Sequence, residues 1–153
     1  MKVAILGGGV AGVSSAIALK KKGFDVSIYE RRQSASNIGA GIVLWPNAAY
    51  VLQQLGVLSE IEAVSGHPAR MRRLTSANEE LGAIDIEMIN SHMGHSSLSI
   101  LRNDFQNILI SKLKTLGVSV HYGHSVTEIK TKSPGQAEVH FQNGLELTAD
   151  VLI

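Results

Sequence analysis

The chain has 153 residues, of which 44% are apolar and 18% charged, and its net charge is +1. That length and composition suit one ordinary globular domain with a real core and exclude a disordered chain. The absence of cysteine excludes disulfides, thiol nucleophiles, iron–sulfur clusters and cysteine zinc sites, and it fits a reducing cytoplasm. A net charge near zero gives no push toward nucleic acid or an anionic membrane, so neither is an expected partner.

The chain opens with Val3-Ala4-Ile5-Leu6, a wholly apolar run of the kind found in parallel strands covered on both faces. Gly7, Gly8 and Gly9 follow. Val10, Val13, Ala16, Ile17 and Leu19 then recur at helical spacing, Lys20 to Lys22 suit a helix C-terminus, and Gly23 suits its left-handed cap. Phe24 to Tyr29 is β-rich and ends at Glu30. Residues 2–30 therefore read as strand, turn, helix, strand. The same stretch mimics a secretory leader, but the glycines interrupt its apolar run and three lysines follow it at once, so it is read as part of the domain. No other run approaches the roughly 18 apolar residues of a membrane-spanning helix.

Residues 31–38 are polar and loop-like. Gly39-Ala40-Gly41 leads into an apolar strand at 42–45, and Pro46 fits a first helical position. Ala48, Val51, Leu52 and Leu55 predict one face of a helix ending at Gly56, with a further turn or two over 58–64. Residues 69–89 read as a hairpin or irregular strand pair turning near Asn78, and 90–97 as a loop. A strand at Leu98–Leu101 precedes a helix from about Asn103 to Thr115, closed by Gly117. Val118 to Val120 reads as a strand. Three strand-like runs, 124–132, 137–142 and 145–149, are separated by Ser133-Pro134-Gly135 and Asn143-Gly144 and predict a β-meander. Asp150 to Ile153 is one more apolar strand.

Gly7, Gly9 and Gly12 satisfy G-x-G-x-x-G between a strand and a helix. The first glycine permits the tight turn, the second lets a pyrophosphate approach the backbone, and the third lets the helix pack closely on the strand. Free N–H groups at the helix start, those of Val10 and Ala11 among them, and the positive end of the dipole then face the phosphates. Glu30 ends the next strand roughly 20 positions on, where a carboxylate accepts the hydroxyls of an adenosine ribose and repels a 2′-phosphate. This pattern specifies a dinucleotide without choosing which one.

Three segments narrow the choice: GGGVAGVSSAIALKKKGFDVSIYERR, GAGIVLWPNAAYVLQQLGV and LRNDFQNIL. Together they resemble the flavin-dependent aromatic-ring hydroxylases, the para-hydroxybenzoate hydroxylase-like class A flavoprotein monooxygenases, and within them the salicylate and urate hydroxylase branch. The resemblance implies an α/β, Rossmann-like FAD-binding domain with a parallel sheet and a three-stranded meander. Residues 1–153 would be its N-terminal part, ending before the domain is complete, with some of the substrate-side sheet at about 69–101. FAD would be bound non-covalently, with NAD(P)H as co-substrate, O2 as oxidant and a small aromatic or similar ring as substrate. Gly7, Gly9 and Gly12 would hold the pyrophosphate, Glu30 the adenosine ribose, and Arg31 would lie beside the adenine. Gly41 would approach the flavin end. Arg102 would meet the pyrophosphate or ribityl chain, with Gln106 nearby on the same helix face, and Val126 would offer backbone to the adenine. A cation at a helix start opposes the helix dipole, which favours an anionic partner for Arg102.

No residue of the chain is assigned as a catalytic acid or base, and alone it is expected to be inactive. Two other readings stay open: an NAD-dependent oxidoreductase with the same fingerprint, and a non-catalytic dinucleotide-binding module. His92, His95, His121 and His124 read as solvated loop histidines, not metal ligands. Ser14 and Ser15 lie inside the first helix without a base. Arg70, Arg72 and Arg73 read as a solvated strand edge.

Overall fold

In the computed structural model the apolar run at the start of the chain forms β1 (Lys2–Leu6), whose Val3, Ala4 and Ile5 are buried. The structure describes residues 1–35, 39–133 and 135–153. They fall into two units, one holding the described residues up to 35 and from 106 onward, the other holding 39–105. Of the loop expected over 31–38, residues 36–38 lie outside the described residues, as does Pro134 of the turn expected at 133–135.

In the first unit, β1 leads through the glycines to α1 (Val10–Lys21) and back to β2 (Asp25–Glu30). Lys20 and Lys21 fill the last turn of α1. Gly23 adopts a φ of 86° and donates its N–H to the Lys20 carbonyl, closing the helix as its sequence predicts. β1 and β2 pair in parallel, in the register Ala4 with Ser27. Later strands extend this sheet on both sides: β7 (Val120–Tyr122) beside β2, and β11 (Val151–Leu152) beside β1, giving the all-parallel order β11-β1-β2-β7. Consecutive β1 residues face opposite ways. Ala4 packs with Tyr29, Val139, Phe141 and Ala149 against a meander, whereas Ile5 lies on the side of Gly12 in α1. Burial on both faces explains the unbroken apolar run. The meander is β8 (Val126–Ser133), β9 (Gln136–Phe141) and β10 (Glu146–Ala149), all antiparallel. Gly144, at φ 84°, donates to the Phe141 carbonyl at the turn between β9 and β10.

In the second unit, β3 (Gly41–Leu44) pairs antiparallel with β6 (Leu98–Leu101). Pro46 is the first residue of α2 (Pro46–Leu55), and Gly56 is its left-handed cap. A short α3 (Leu58–Glu62) follows. β4 (Arg70–Leu74) and β5 (Glu80–Asp85) form a hairpin whose strand residues are all exposed. The helix α5 (Arg102–Thr115) begins in this unit and supplies the first unit from Gln106 on.

Three expectations need correction. Residues 86–93 form a helix, α4 (Ile86–Met93), where strand and loop are expected. Asp85 caps it by accepting the Met88 N–H at 2.9 Å, and Gly94 closes it at φ 69°; the cap and the glycine were the available signals. The strand expected at 118–120 starts only at Val120. Val118 instead donates to the Leu113 carbonyl and finishes the end of α5. The buried face of α2 is Pro46, Ala49, Leu52 and Leu55, while Val51 is exposed.

No helix among the described residues is long and apolar enough to cross a membrane. Asp85→Ala removes the side-chain cap of α4. It should lower unfolding free energy by about 1 kcal/mol in urea titration, and Asp85→Ser should recover most of that loss.

Candidate functional site

The turn between β1 and α1 is shaped by each of its glycines differently. Gly7 has a φ of 131°, a conformation L side chains rarely adopt, and donates its N–H to the Tyr29 carbonyl at 2.8 Å. A Cβ at Gly12 would overlap the Gly7 carbonyl oxygen and lie 3.2 Å from Ile5 Cγ2, so α1 starts against the turn only because Gly12 is bare. A Cβ at Gly9 would meet nothing within 4 Å; its bareness leaves open space above the backbone. Gly9 is also the N-cap of α1 and has no side chain to satisfy the helix start. The first intrahelical bond runs from the Val13 N–H to the Gly9 carbonyl at 2.9 Å. The N–H groups of Val10, Ala11 and Gly12 therefore have no intrahelical acceptor. No acidic residue sits in the first turn of α1. The result is a bare, positive helix end suited to an anion.

Gly8 is the residue that the motif leaves undefined, and its role was missed. A Cβ there would lie 2.9 Å from Val120 Cγ1 and 3.1 Å from Glu30 Cβ. Its N–H donates to Glu30 Oε2 at 2.8 Å, and its carbonyl accepts from Gln106 Nε2 at 2.6 Å. Gln106 is buried. It clamps the loop from α5, a role that spacing along the helix did not reveal. The signal that could have found Gly8 is a third consecutive glycine in a motif that needs two of the three.

Glu30 Oε1 accepts the Arg32 N–H at 2.9 Å, so both carboxylate oxygens are fixed by backbone donors. Each oxygen keeps a further lone-pair direction for a hydroxyl donor. The Glu30 carbonyl accepts the His124 N–H, which ties β2 to the β7–β8 connection. Between these segments lies a cleft of about 320 Å³ whose walls include Gly7, Glu30, Arg31, His124 and Val126. Its floor includes Tyr29. The Tyr29 ring stacks on His121 at a centroid distance of 5.1 Å and packs against Phe141 at 5.0 Å. Burial, then the Glu30 carboxylate, raise the Tyr122 phenol above its ordinary value, so this neighbour of the cleft stays neutral well into alkaline solution.

The structure thus brings Gly7, Glu30, Arg31 and Val126 to one cleft, beside Gly9, Val10, Ala11 and Gly12 at the helix start. Gly41 and Arg102 belong to the other unit. There Gly41 pairs with Leu101, and the Arg102 N–H donates to the Ala40 carbonyl at 2.9 Å, which sets the two residues side by side at one end of the β3–β6 ribbon. The histidine expectation needs correction in part: His124 lies in the β7–β8 loop as expected but is half-buried in an aromatic cluster, and His92, though exposed, lies on α4.

A family profile described as "FAD binding domain" matches residues 1–153. The chain belongs to that family. Among curated relatives of this FAD-binding domain, the 6-hydroxynicotinate 3-monooxygenase of Pseudomonas fluorescens is 28% identical, covering 99% of this chain and 39% of its own. The FAD-dependent urate hydroxylase of Mycolicibacterium vanbaalenii is also 28% identical, over 100% of this chain and 39% of its own. The crystal structure of Klebsiella pneumoniae HpxO complexed with FAD and uric acid superposes with a TM-score of 0.83 at 26% identity, over 99% of this chain and 38% of that one. The chain therefore spans about two fifths of the length of these relatives.

Two substitutions separate the roles of the glycines. Gly12→Ala should lower unfolding free energy by roughly 2–3 kcal/mol in urea titration, because helix and turn must part. Gly9→Ala should stay within about 0.5 kcal/mol of the parent, since its Cβ meets nothing, yet weaken FAD binding at least about tenfold.

Proposed function

We propose that the cleft receives the adenosine half of FAD and the start of α1 its pyrophosphate, with Gly7, Gly9, Val10, Ala11 and Gly12 as the phosphate cradle. The supporting observation is the Glu30 carboxylate, held by two backbone N–H donors at the rim of the same cleft as Gly7 and Val126. A carboxylate fixed before the ligand arrives accepts ribose hydroxyls without ordering cost, and it disfavours a 2′-phosphate. Arg31 flanks the adenine and Val126 offers it backbone. Gly41 and Arg102 are proposed FAD contacts at the flavin end and the pyrophosphate or ribityl chain. Gln106 acts on the cofactor through Gly8, as a positioning residue.

For the whole protein, the reading is a monooxygenase that hydroxylates an aromatic or heteroaromatic ring with NAD(P)H and O2, working in the cytoplasm. FAD, when bound, supplies hydride acceptance and oxygen activation. The residues of this chain hold and orient the cofactor. Residues 1–153 are its N-terminal part, and the segment at about 69–101 contributes to the substrate side. The relatives named above, which include a urate hydroxylase and a hydroxynicotinate monooxygenase, support a ring substrate.

Equilibrium titration of the flavin-free full protein, followed by flavin fluorescence, tests the cofactor assignment. FAD should bind more tightly than NAD or FMN, and Glu30→Gln should weaken FAD by about 10- to 100-fold, the range for charge-assisted hydrogen bonds. Tighter binding of NAD than of FAD would contradict the reading.

A further inference from the structure

His124 holds neither phosphate nor ribose in this arrangement, yet it lines the cleft beside Val126. Its ring is held in three ways. Nδ1 lies 2.8 Å from the Tyr122 carbonyl oxygen. Edge contacts to Tyr29, at 5.4 Å and 66°, and to Phe141, at 5.5 Å and 88°, fix its plane. A carbonyl oxygen can only accept, so Nδ1 carries the hydrogen and donates it. In the neutral ring Nε2 is then an acceptor, and the Nδ1 bond to the Tyr122 carbonyl holds the ring in that orientation and tautomer.

The charged and aromatic groups near the ring do not duplicate this acceptor, and the Ser125 hydroxyl of the same cleft, which both donates and accepts, does not choose between an amine and a carbonyl. Glu30 on β2 has both oxygens engaged by backbone N–H groups, and its remaining lone pairs serve the ribose. Arg31 offers donors only. The Tyr29 and His121 rings stack on each other, and Tyr122 contributes its carbonyl to Nδ1. A fixed neutral acceptor in a cleft that takes a purine discriminates at position 6 of the base. Adenine presents an amine there, which donates. A 6-oxopurine presents an acceptor at that position and moves its donor to N1, so at position 6 the two lone pairs oppose each other.

We propose that His124 is the base-reading residue of the cleft: its Nε2 accepts a hydrogen bond from the 6-amino group and so selects adenine over 6-oxopurines. The proposal rests on the reading of the cleft as an adenosine site. Equilibrium binding of ADP and of IDP, which differ only at that end of the base, to the flavin-free full protein tests it. The parent should prefer ADP. His124→Phe keeps a ring for Tyr29 and Phe141 but has no acceptor, and it should weaken ADP about five- to tenfold while leaving IDP within about twofold. His124→Arg offers only donors and should reverse the preference, an outcome that loss of structure cannot produce. If both variants keep the parent's ADP-to-IDP ratio while Glu30→Gln weakens both nucleotides, the adenosine site stands and the role of His124 is overturned. If neither the His124 nor the Glu30 substitutions change ADP binding, the adenosine site itself fails, and the proposal with it.

Discussion

Gly8 is gripped from both sides, and the proposed nucleotide site depends on that grip. Its N–H is taken by Glu30 from β2, and its carbonyl by Gln106 from α5. The two bonds bring the end of one strand, the body of one helix and the turn of the βαβ unit to a single residue. A side chain at Gly8 would break the arrangement by entering the space of Val120 and Glu30. The Gln106 amide is buried and the Gly8 carbonyl is its acceptor, so losing either partner leaves a polar group without a bond in the interior. A glycine-rich turn is intrinsically loose. Here it is held in one conformation before any ligand arrives, so its open N–H groups are aimed at low entropic cost.

The meander completes the site by a different kind of interaction. Phe141 at the end of β9 packs on Tyr29, and His124 at the entry to β8 packs on both. Ala4, Val139 and Ala149 fill the space beneath. The wall of the cleft is therefore anchored in the core that joins the meander to the parallel sheet. A cavity made in that core would be felt at the cleft, because packed interiors relax only in part.

Much of this architecture was legible in the order of residues because local and global demands agree there. Val3 to Leu6, the glycines, the helical spacing of Val13, Ala16 and Ile17, and Gly23 all specify the same βαβ unit, and the structure contains it. Asn143-Gly144 marked the β9–β10 turn for the same reason. Legibility failed where long-range partners decide. The helix at 86–93 was hidden because its capping residue, Asp85, is also the last residue of an exposed strand. Helical spacing places Gln106 on the face of Arg102 but does not show its bond to Gly8, 98 residues away in sequence. His124 resembled a solvated loop residue until Tyr29 and Phe141 closed around it. Gly8 occupies an undefined motif position, and only the approach of Val120 and Glu30 shows why a side chain is excluded. The chemistry of a ring substrate is not written in the described cleft, whose proposed occupant is a nucleotide; the ring substrate is proposed from the relatives.

The central claim is that an already ordered turn presents the backbone N–H groups of Val10, Ala11 and Gly12 to a pyrophosphate. Backbone amide chemical shifts of the isotope-labelled, flavin-free full protein test it most directly when ADP is added. The account predicts saturable shifts at Val10, Ala11 and Gly12, a smaller one at Gly8, whose N–H is already bonded to Glu30, and no comparable response to adenosine alone. Saturating ADP that leaves the amides of Val10 to Gly12 unmoved would contradict it.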